Sequence, residues 1–422
     1  MSNIRKVFNN GEKVELPIWN GKTPYALYYN GECVWKNGKD KPKHFIVTVW
    51  NVTNETFTFP ALTINSYGKN IEEVVGIIDW GDGNEEEYNS TIPIEHNYNK
   101  TGIYTITIYV DITVIAYTKL NGEYPTSFEK RKDLLSIDTE KSILKNCWAY
   151  TFYGCSNLYN AKFNDSLSFA NNTFTECTSL TEITLPKATN VTDGMFAKCD
   201  SLTSVTITKY SFPLGDYSFQ SCKNLKSLNL ENCYTLGEYC IYDSGIQEIK
   251  LSSKYAKDDY DYWLDFGMMV VQNKFLNILF DGYNRHFTII DNCVYWRNTP
   301  SEDYTYFVYC LNTSSGDIKI KNGTTRLCKY AFKDGNSDGK NSYTKSHYLN
   351  GITSITIPKS VTQIDNDVFE SYSSFYYGGG TFYSNNQVVQ FYYEGTSEEW
   401  SKIVPSYRYF PTGNPLICLG DE

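Results

Sequence analysis

Cysteine is the residue type with the most chemistry to offer in this chain. There are twelve, and Cys155, Cys177, Cys199 and Cys222 each sit three residues after a phenylalanine and three before a leucine. Thiols at regular spacing can hold a metal, pair as disulfides or fill a core. A zinc site needs a Cys-x-x-Cys pair or a Cys/His set, and neither spacing occurs. The surrounding Phe and Leu therefore predict an inward-facing ladder of reduced thiols acting as small apolar side chains. Cys147, Cys233, Cys240, Cys293, Cys310 and Cys328 repeat the theme less regularly.

The oxygen ligands lead no further. Asp334-x-Asn336-x-Asp338-Gly339 opens like a calcium loop, but Lys345 stands where the twelfth-position carboxylate belongs. Asp79, Asp82 and Glu85 could hold a cation, and turn chemistry with solvated charge accounts for them as well. The histidines, His44, His96, His286 and His347, are scattered. No G-x-S-x-G elbow, H-E-x-x-H, P-loop or G-x-G-x-x-G is present. Adjacent acids such as Asp258-Asp259 carry no weight without a pocket. The reading is no enzyme, no cofactor and no metal, with a glycosidase-like pair drawn from distant residues left open.

What must position the thiols is a repeat. Phe152, Phe174, Phe196 and Phe219 are spaced 22, 22 and 23 residues apart, a period that predicts a leucine-rich-repeat solenoid. Each copy runs from its Leu into an alternating segment, as in Leu180-Thr181-Glu182-Ile183-Thr184-Leu185. Apolar side chains at every second position make one buried and one wet strand face. One unit cannot bury that face alone, so units must stack, about 4.8 Å apart.

Three segments carry a resemblance: "FAKCDSLTSVTI", "GITSITIPKSVTQIDNDVF" and "FYYEGTSEEWSKIV" resemble BspA-type leucine-rich repeats of bacterial surface proteins, whose arrays close with Gly-Thr-x-x-x-Trp. The resemblance runs from about Leu134 to Val404. It is interrupted between about Tyr255 and Tyr330, where "FTIIDNCVYW" and "IKNGTTRLCKYAF" resemble a variant unit with longer loops. Upstream, Trp80-Gly81-Asp82-Gly83, His96-x-Tyr98 and Gly102-x-Tyr104, followed by Ile106, Ile108 and Val110, are similar to a PKD domain, an immunoglobulin-like sandwich. Residues 43–65 are expected to supply its first strands, and His96 to pack or hydrogen-bond within it.

Asn-Gly at 10–11, 20–21, 30–31 and 37–38, between short apolar runs, predicts a small amino-terminal β-meander with tight turns. "YALYYNGECVWKNG" resembles short modules of bacteriophage virion proteins. The expected organisation is mainly β: a meander and docking module over 1–40, a PKD/Ig-like β-sandwich over 41–115, a linker over 116–133, and a leucine-rich-repeat solenoid over 134–422 with an irregular insert at about 255–330 and a carboxy-terminal cap.

Net charge is −10, from 38 basic and 48 acidic residues, and the only basic corner is Glu129-Lys130-Arg131-Lys132. A nucleic-acid partner is therefore not expected. No 18-residue apolar run predicts a membrane span. Charges at Arg5, Lys6, Glu12, Lys13 and Glu15 stand where an export leader needs an apolar stretch, so the sequence predicts a chain kept on the cytoplasmic side, where disulfides do not persist.

Aromatics in excess of the repeat's needs mark candidate contacts: Tyr255, Tyr260, Tyr262 and Trp263 in an acidic loop, and Tyr376, Tyr377, Phe382 and Tyr383 near the end. They either cap irregular repeats or touch a protein or sugar. The leading expectation is a non-enzymatic structural protein of a bacteriophage virion, held in a larger assembly by contacts of residues 1–40 with other virion proteins. The alternative is an adhesin on the bacterial cell surface that binds host protein or glycan through the repeats.

Overall fold

The computed structural model describes residues 6–9, 12–15, 26–29, 32–36, 41–62, 74–115, 128–251, 277–280, 286–297, 299, 301–311, 315–329, 331–332, 351–365, 368–369, 383–384, 387–403 and 414–421. They are mainly β, and the one α-helix among them is Ser397–Ile403. At the amino terminus Lys6–Asn9 pairs antiparallel with Glu12–Glu15, and Ala26–Tyr29 with Glu32–Lys36. Each pair is joined by two residues, Asn-Gly. These two hairpins are what the structure describes of the segment expected to form a meander.

A six-stranded sheet follows in the order Asn160–Lys162, Leu134–Asp138, Phe45–Val52, Gly102–Tyr109, Val75–Asp79, Glu85–Asn89. Phe45–Val52 turns Ile46, Thr48, Trp50 and Val52 inward. Across that face, Thr56–Phe59 pairs with Ile94–Asn97, and the Phe57 and Phe59 rings meet Trp50 and Trp80 edge-on. The segment around Trp80 closes on itself: Tyr98 donates its hydroxyl to the Trp80 carbonyl, and the His96 ring stacks on Trp80 at 4.5 Å while its Nε2 lies 2.8 Å from Asp82 Oδ2. The carboxylates weighed as cation ligands are spent locally. Asp79 and Asp82 accept the N–H groups of Gly81 and Asn84, and Glu85 pairs with Lys41.

Leu134–Asp138 joins this sheet to the repeats. It runs antiparallel to Phe45–Val52 on one side and parallel to Asn160–Lys162 on the other. The ladder continues through Glu182–Leu185 and Ser204–Ile207, paired in parallel, and through Ser227–Leu230, Glu248–Leu251 and Asn277–Phe280. A second parallel ladder crosses the same coils at Val114–Ile115, Asn146–Cys147 and Ser168–Phe169, and again at Phe212–Leu214 and Cys233–Leu236.

Between the ladders lie the phenylalanines, stacked ring on ring: Phe128–Phe152 at 5.4 Å, Phe152–Phe174 at 5.3 Å, Phe174–Phe196 at 5.6 Å and Phe196–Phe219 at 5.3 Å. Phe128 heads the stack from within the stretch expected to be a linker. In its copy Arg131 replaces the cysteine, and its guanidinium lies over Trp50 at 4.5 Å while donating to the Thr58 carbonyl. The aromatic core of the first sheet is thus continuous with that of the repeats.

The segment "FTIIDNCVYW" forms a β-hairpin, Phe287–Ile290 against Cys293–Trp296, where a repeat variant with longer loops was expected. Asp291 and Asn292 both take positive φ, 49° and 59°, as a two-residue primed turn requires. Parallel stacking then resumes in two ladders. Tyr306–Cys310, Arg326–Leu327 and Gln363–Ile364 form one, and Gly316–Lys319, Ile352–Ile357, Gln390–Tyr393 and Leu416–Cys418 form the other. The rings resume too, Phe307–Phe332 at 5.0 Å and Phe332–Phe369 at 5.1 Å. At the end, Thr396 and Glu399 exchange hydrogen bonds between side chain and backbone at the start of Ser397–Ile403, a capping box that presents Trp400 to Tyr393 at 5.0 Å. A Cβ on Gly395 would lie 2.5 Å from the Glu399 carboxylate, so glycine belongs to the Gly-Thr-x-x-x-Trp segment for want of space.

Candidate functional site

The candidate site arises from two columns of side chains flanking the stacked phenylalanines. The residue two before each Phe takes positive φ whatever its type: Tyr150 (62°), Asn172 (56°), Gly194 (59°) and Tyr217 (53°), followed by Tyr239 (51°) in the next coil, where Ile241 replaces Phe. For a non-glycine residue this conformation costs about 1 kcal/mol. It turns the N–H toward the next coil, where Tyr150 donates to Asn171, Asn172 to Asp193, Gly194 to Asp216 and Tyr217 to Glu238, at 2.8–3.1 Å. The side chain is left at the surface. The residue one after each Phe forms the second column: Tyr153, Thr175, Ala197, Gln220 and Tyr242.

Down both columns the side chains run large, small, large. Tyr150 and Tyr153 meet edge-on at 5.8 Å at one end; at the other Tyr217 stacks on Tyr239 at 5.3 Å, and Tyr239 meets Tyr242 edge-on at 5.6 Å. Between them, Asn172 and Gly194 stand in one column and Thr175 and Ala197 in the other, leaving an open notch of about 430 Å³. A Cβ on Gly194 would lie 2.1 Å from Asn172 Oδ1, so a larger residue would displace the Asn172 side chain. Tyr153 and Tyr217 stand at its two ends.

The notch is polar and acidic. Lys198 donates to Glu176 at 2.8 Å. That hydrogen bond holds the Glu176 carboxyl below its ordinary value against the opposing effect of partial burial, and the Tyr153 hydroxyl adds to it. Lys198 is raised in turn by Glu176. Asp193 accepts the Asp216 N–H through one oxygen and the Asn171 side-chain amide through the other, both at 3.0 Å, and Asp216 accepts the Glu238 N–H at 2.8 Å, so these carboxylates beside the notch pin neighbouring coils together. Such a surface can donate and accept hydrogen bonds and offers two tyrosine edges. Those groups are suited to recognising a ligand.

The cysteines lie beneath. Cys155, Cys177, Cys199 and Cys222 are buried and reduced, and burial pushes the Cys155 and Cys222 thiols up to about 12. That is the inert, structural kind of thiol. Tyr255, Tyr260, Tyr262, Trp263, Tyr376, Tyr377 and Phe382 lie outside the described residues. Tyr383 belongs to a short strand, Tyr383–Ser384, paired with Gln387–Val388, and its side chain is likewise outside. Asp258-Asp259 and the Asp334 to Gly339 loop are outside too. The tyrosine columns escaped the sequence reading, and aligning the copies at two before and one after the phenylalanine would have found them.

Residues 145–261 and 302–377 match the model of the BspA type leucine rich repeat region, in six copies. Those two stretches are therefore similar to repeats of that kind, and no catalytic family is indicated. No curated protein sequence matches significantly. Among solved structures, the chain is similar to a leucine rich cell surface protein from Faecalibacterium prausnitzii, at 15% identity over 70% of this chain and 91% of that one, TM-score 0.34. It is also similar to a leucine-rich repeat protein from Bacteroides ovatus, at 15% over 83% and 100%, TM-score 0.30, and to the pneumococcal vaccine antigen PcpA, at 14% over 74% and 93%, TM-score 0.31. No helix among the described residues is long and apolar enough to cross a membrane.

Proposed function

We propose that this chain is a non-catalytic recognition protein of the bacterial cell surface, and that it engages a protein partner along the tyrosine-flanked notch. The observation that carries the reading is the six-copy match to BspA-type repeats, a kind of array used for binding rather than chemistry. On this reading the strand face, with Thr, Ser and Glu outward in Glu182–Leu185 and Ser204–Ile207, is a solvated wall. The turn face supplies the contact, because half-exposed tyrosines combine apolar area with a polar tip. The PKD-like segment serves as a spacer fixed to the array through Leu134–Asp138.

The adhesin expectation thereby stands ahead of the virion one. The virion reading depended on residues 1–40, of which the structure describes only two hairpins, and nothing in the comparisons adds to it. Binding of the full chain to intact and to protease-shaved host cells tests the proposal. Saturable binding lost on shaving is expected. Binding that survives shaving would point to glycan or lipid instead, and no saturable binding would overturn the reading.

A further inference from the structure

Eleven cysteines among the described residues are reduced rather than disulfide-bonded, and one pair differs from the ladder. Cys293 and Cys310 are directly opposite on the antiparallel strands Cys293–Trp296 and Tyr306–Cys310. Their sulfurs are 3.9 Å apart, with the Cys293 S–H directed at Cys310, and both residues are buried. The Cys310 N–H donates away from Cys293, to the Ala331 carbonyl at 2.7 Å, and Leu311 N–H bonds to the Asn292 carbonyl at 2.9 Å. The two cysteines are therefore a non-hydrogen-bonded cross-strand pair, the kind whose side chains approach most closely, at a separation a disulfide can close with small side-chain rotations. The ladder thiols contrast with this, since Cys155, Cys177, Cys199 and Cys222 each donate to a backbone carbonyl.

The strands that carry the pair sit between two cores. Val294, Trp296, Val308 and Tyr309 face the core shared with the first sheet and the amino-terminal repeats, while Cys293, Tyr295, Phe307 and Cys310 face the core of the carboxy-terminal repeats. A bond here would staple the inserted hairpin to the first strand of the second array, where the two cores meet.

We propose that Cys293 and Cys310 form a disulfide when the chain folds in an oxidising compartment, and that this bond locks the junction between the two repeat arrays. The two thiols give up two protons and two electrons as the S–S bond forms. A small-molecule or protein disulfide accepts them and is reduced to two thiols. The bond forms while the hairpin is still open, since the hydrogen bond with Cys310 and burial hold the closed Cys293 thiol well above the ordinary range and leave little thiolate to react. This proposal does not rest on the notch.

The test uses the full chain refolded in a reduced and oxidised glutathione couple, then denatured and alkylated with iodoacetamide without reductant. Peptide mapping is expected to show the Cys293 and Cys310 peptides joined and two hydrogens lighter, with the ladder cysteines alkylated. Oxidation should raise the thermal midpoint by a few degrees, reversibly with dithiothreitol, and the Cys293→Ala/Cys310→Ala double variant should fold at the reduced midpoint without responding to reductant. Full alkylation of both cysteines after oxidative refolding would overturn the proposal. So would a bond from either one to a different cysteine, or a response to reductant that persists in the double variant.

Discussion

The Cys177 thiol donates to the Phe152 carbonyl of the preceding coil at 3.1 Å. The relationship recurs from Cys155 to Phe128, from Cys199 to Phe174 and from Cys222 to Phe196, at 2.9, 3.1 and 3.0 Å. The Phe152 carbonyl already accepts the Cys155 N–H of its own coil at 3.2 Å, and the thiol of the next coil takes its second lone pair, out of reach of water. A side chain here must be small, apolar and able to donate weakly. Cysteine meets all three demands, which is why it recurs where a wholly apolar or a strongly polar residue would fail.

Substitution of Cys177 should separate those demands. Cys177→Ala loses the sulfur and its weak bond and is expected to cost about 1–2 kcal/mol. Cys177→Leu overfills the ladder and should cost about 1–3 kcal/mol. Urea midpoints of the two variants measure both, and an unchanged midpoint for the leucine variant would contradict close packing between coils.

Arg131 couples the first sheet to the repeats through Trp50 and the Thr58 carbonyl. Arg131→Ala should cost about 1–3 kcal/mol from the lost cation–π contact, stem packing and hydrogen bonds. It should also broaden or split the unfolding transition followed by tryptophan fluorescence. A single sharp transition at the original midpoint would show that the two cores do not depend on this contact.

The repeat was legible because Phe, Cys and Leu recur together at one spacing, and it became illegible where one of the three changed. The Phe128 copy lacks the signature because Arg131 occupies the cysteine position, and the Phe287–Trp296 hairpin resembles a repeat because its strand residues suit one. The notch was hidden for a different reason. Its backbone takes positive φ at Tyr150, Glu176, Lys198 and Tyr217, residues that send no turn signal, since the conformation is imposed by hydrogen bonds from one coil to the next rather than by local preference. The aromatic clusters that sequence did single out fall outside the described residues, so the site rests on side chains that sequence did not single out.

Asp82 should make stability pH-dependent. Partial burial alone would raise its carboxyl, but the hydrogen bonds from His96 and Asn84 outweigh this and hold it below the ordinary value. A carboxyl depressed on folding stabilises above its unfolded value, and that contribution is lost as pH falls through the folded one. Asp82→Asn is expected to cost about 1–2 kcal/mol at neutral pH, with the gap to the parent closing on acidification below the usual carboxylate range. A gap that stays constant with pH would assign the loss to packing instead.

Ala197→Tyr would fill the notch as Tyr153 and Tyr242 fill the same column two coils away on either side. Because the column carries that side chain in other coils, stability should change by less than about 1 kcal/mol, while affinity for a surface partner should fall at least tenfold. Undiminished binding by a folded Ala197→Tyr protein would move the contact away from the turn face.

The most direct measurement is quantitative mass spectrometry of washed cell envelopes and of purified phage particles from the source culture, counting this chain against a major capsid protein and a known envelope protein. The surface-recognition account predicts enrichment in intact envelopes, removable by mild protease, and no fixed ratio in particles. A constant stoichiometry with the capsid protein, with none of the chain on cells, would contradict it.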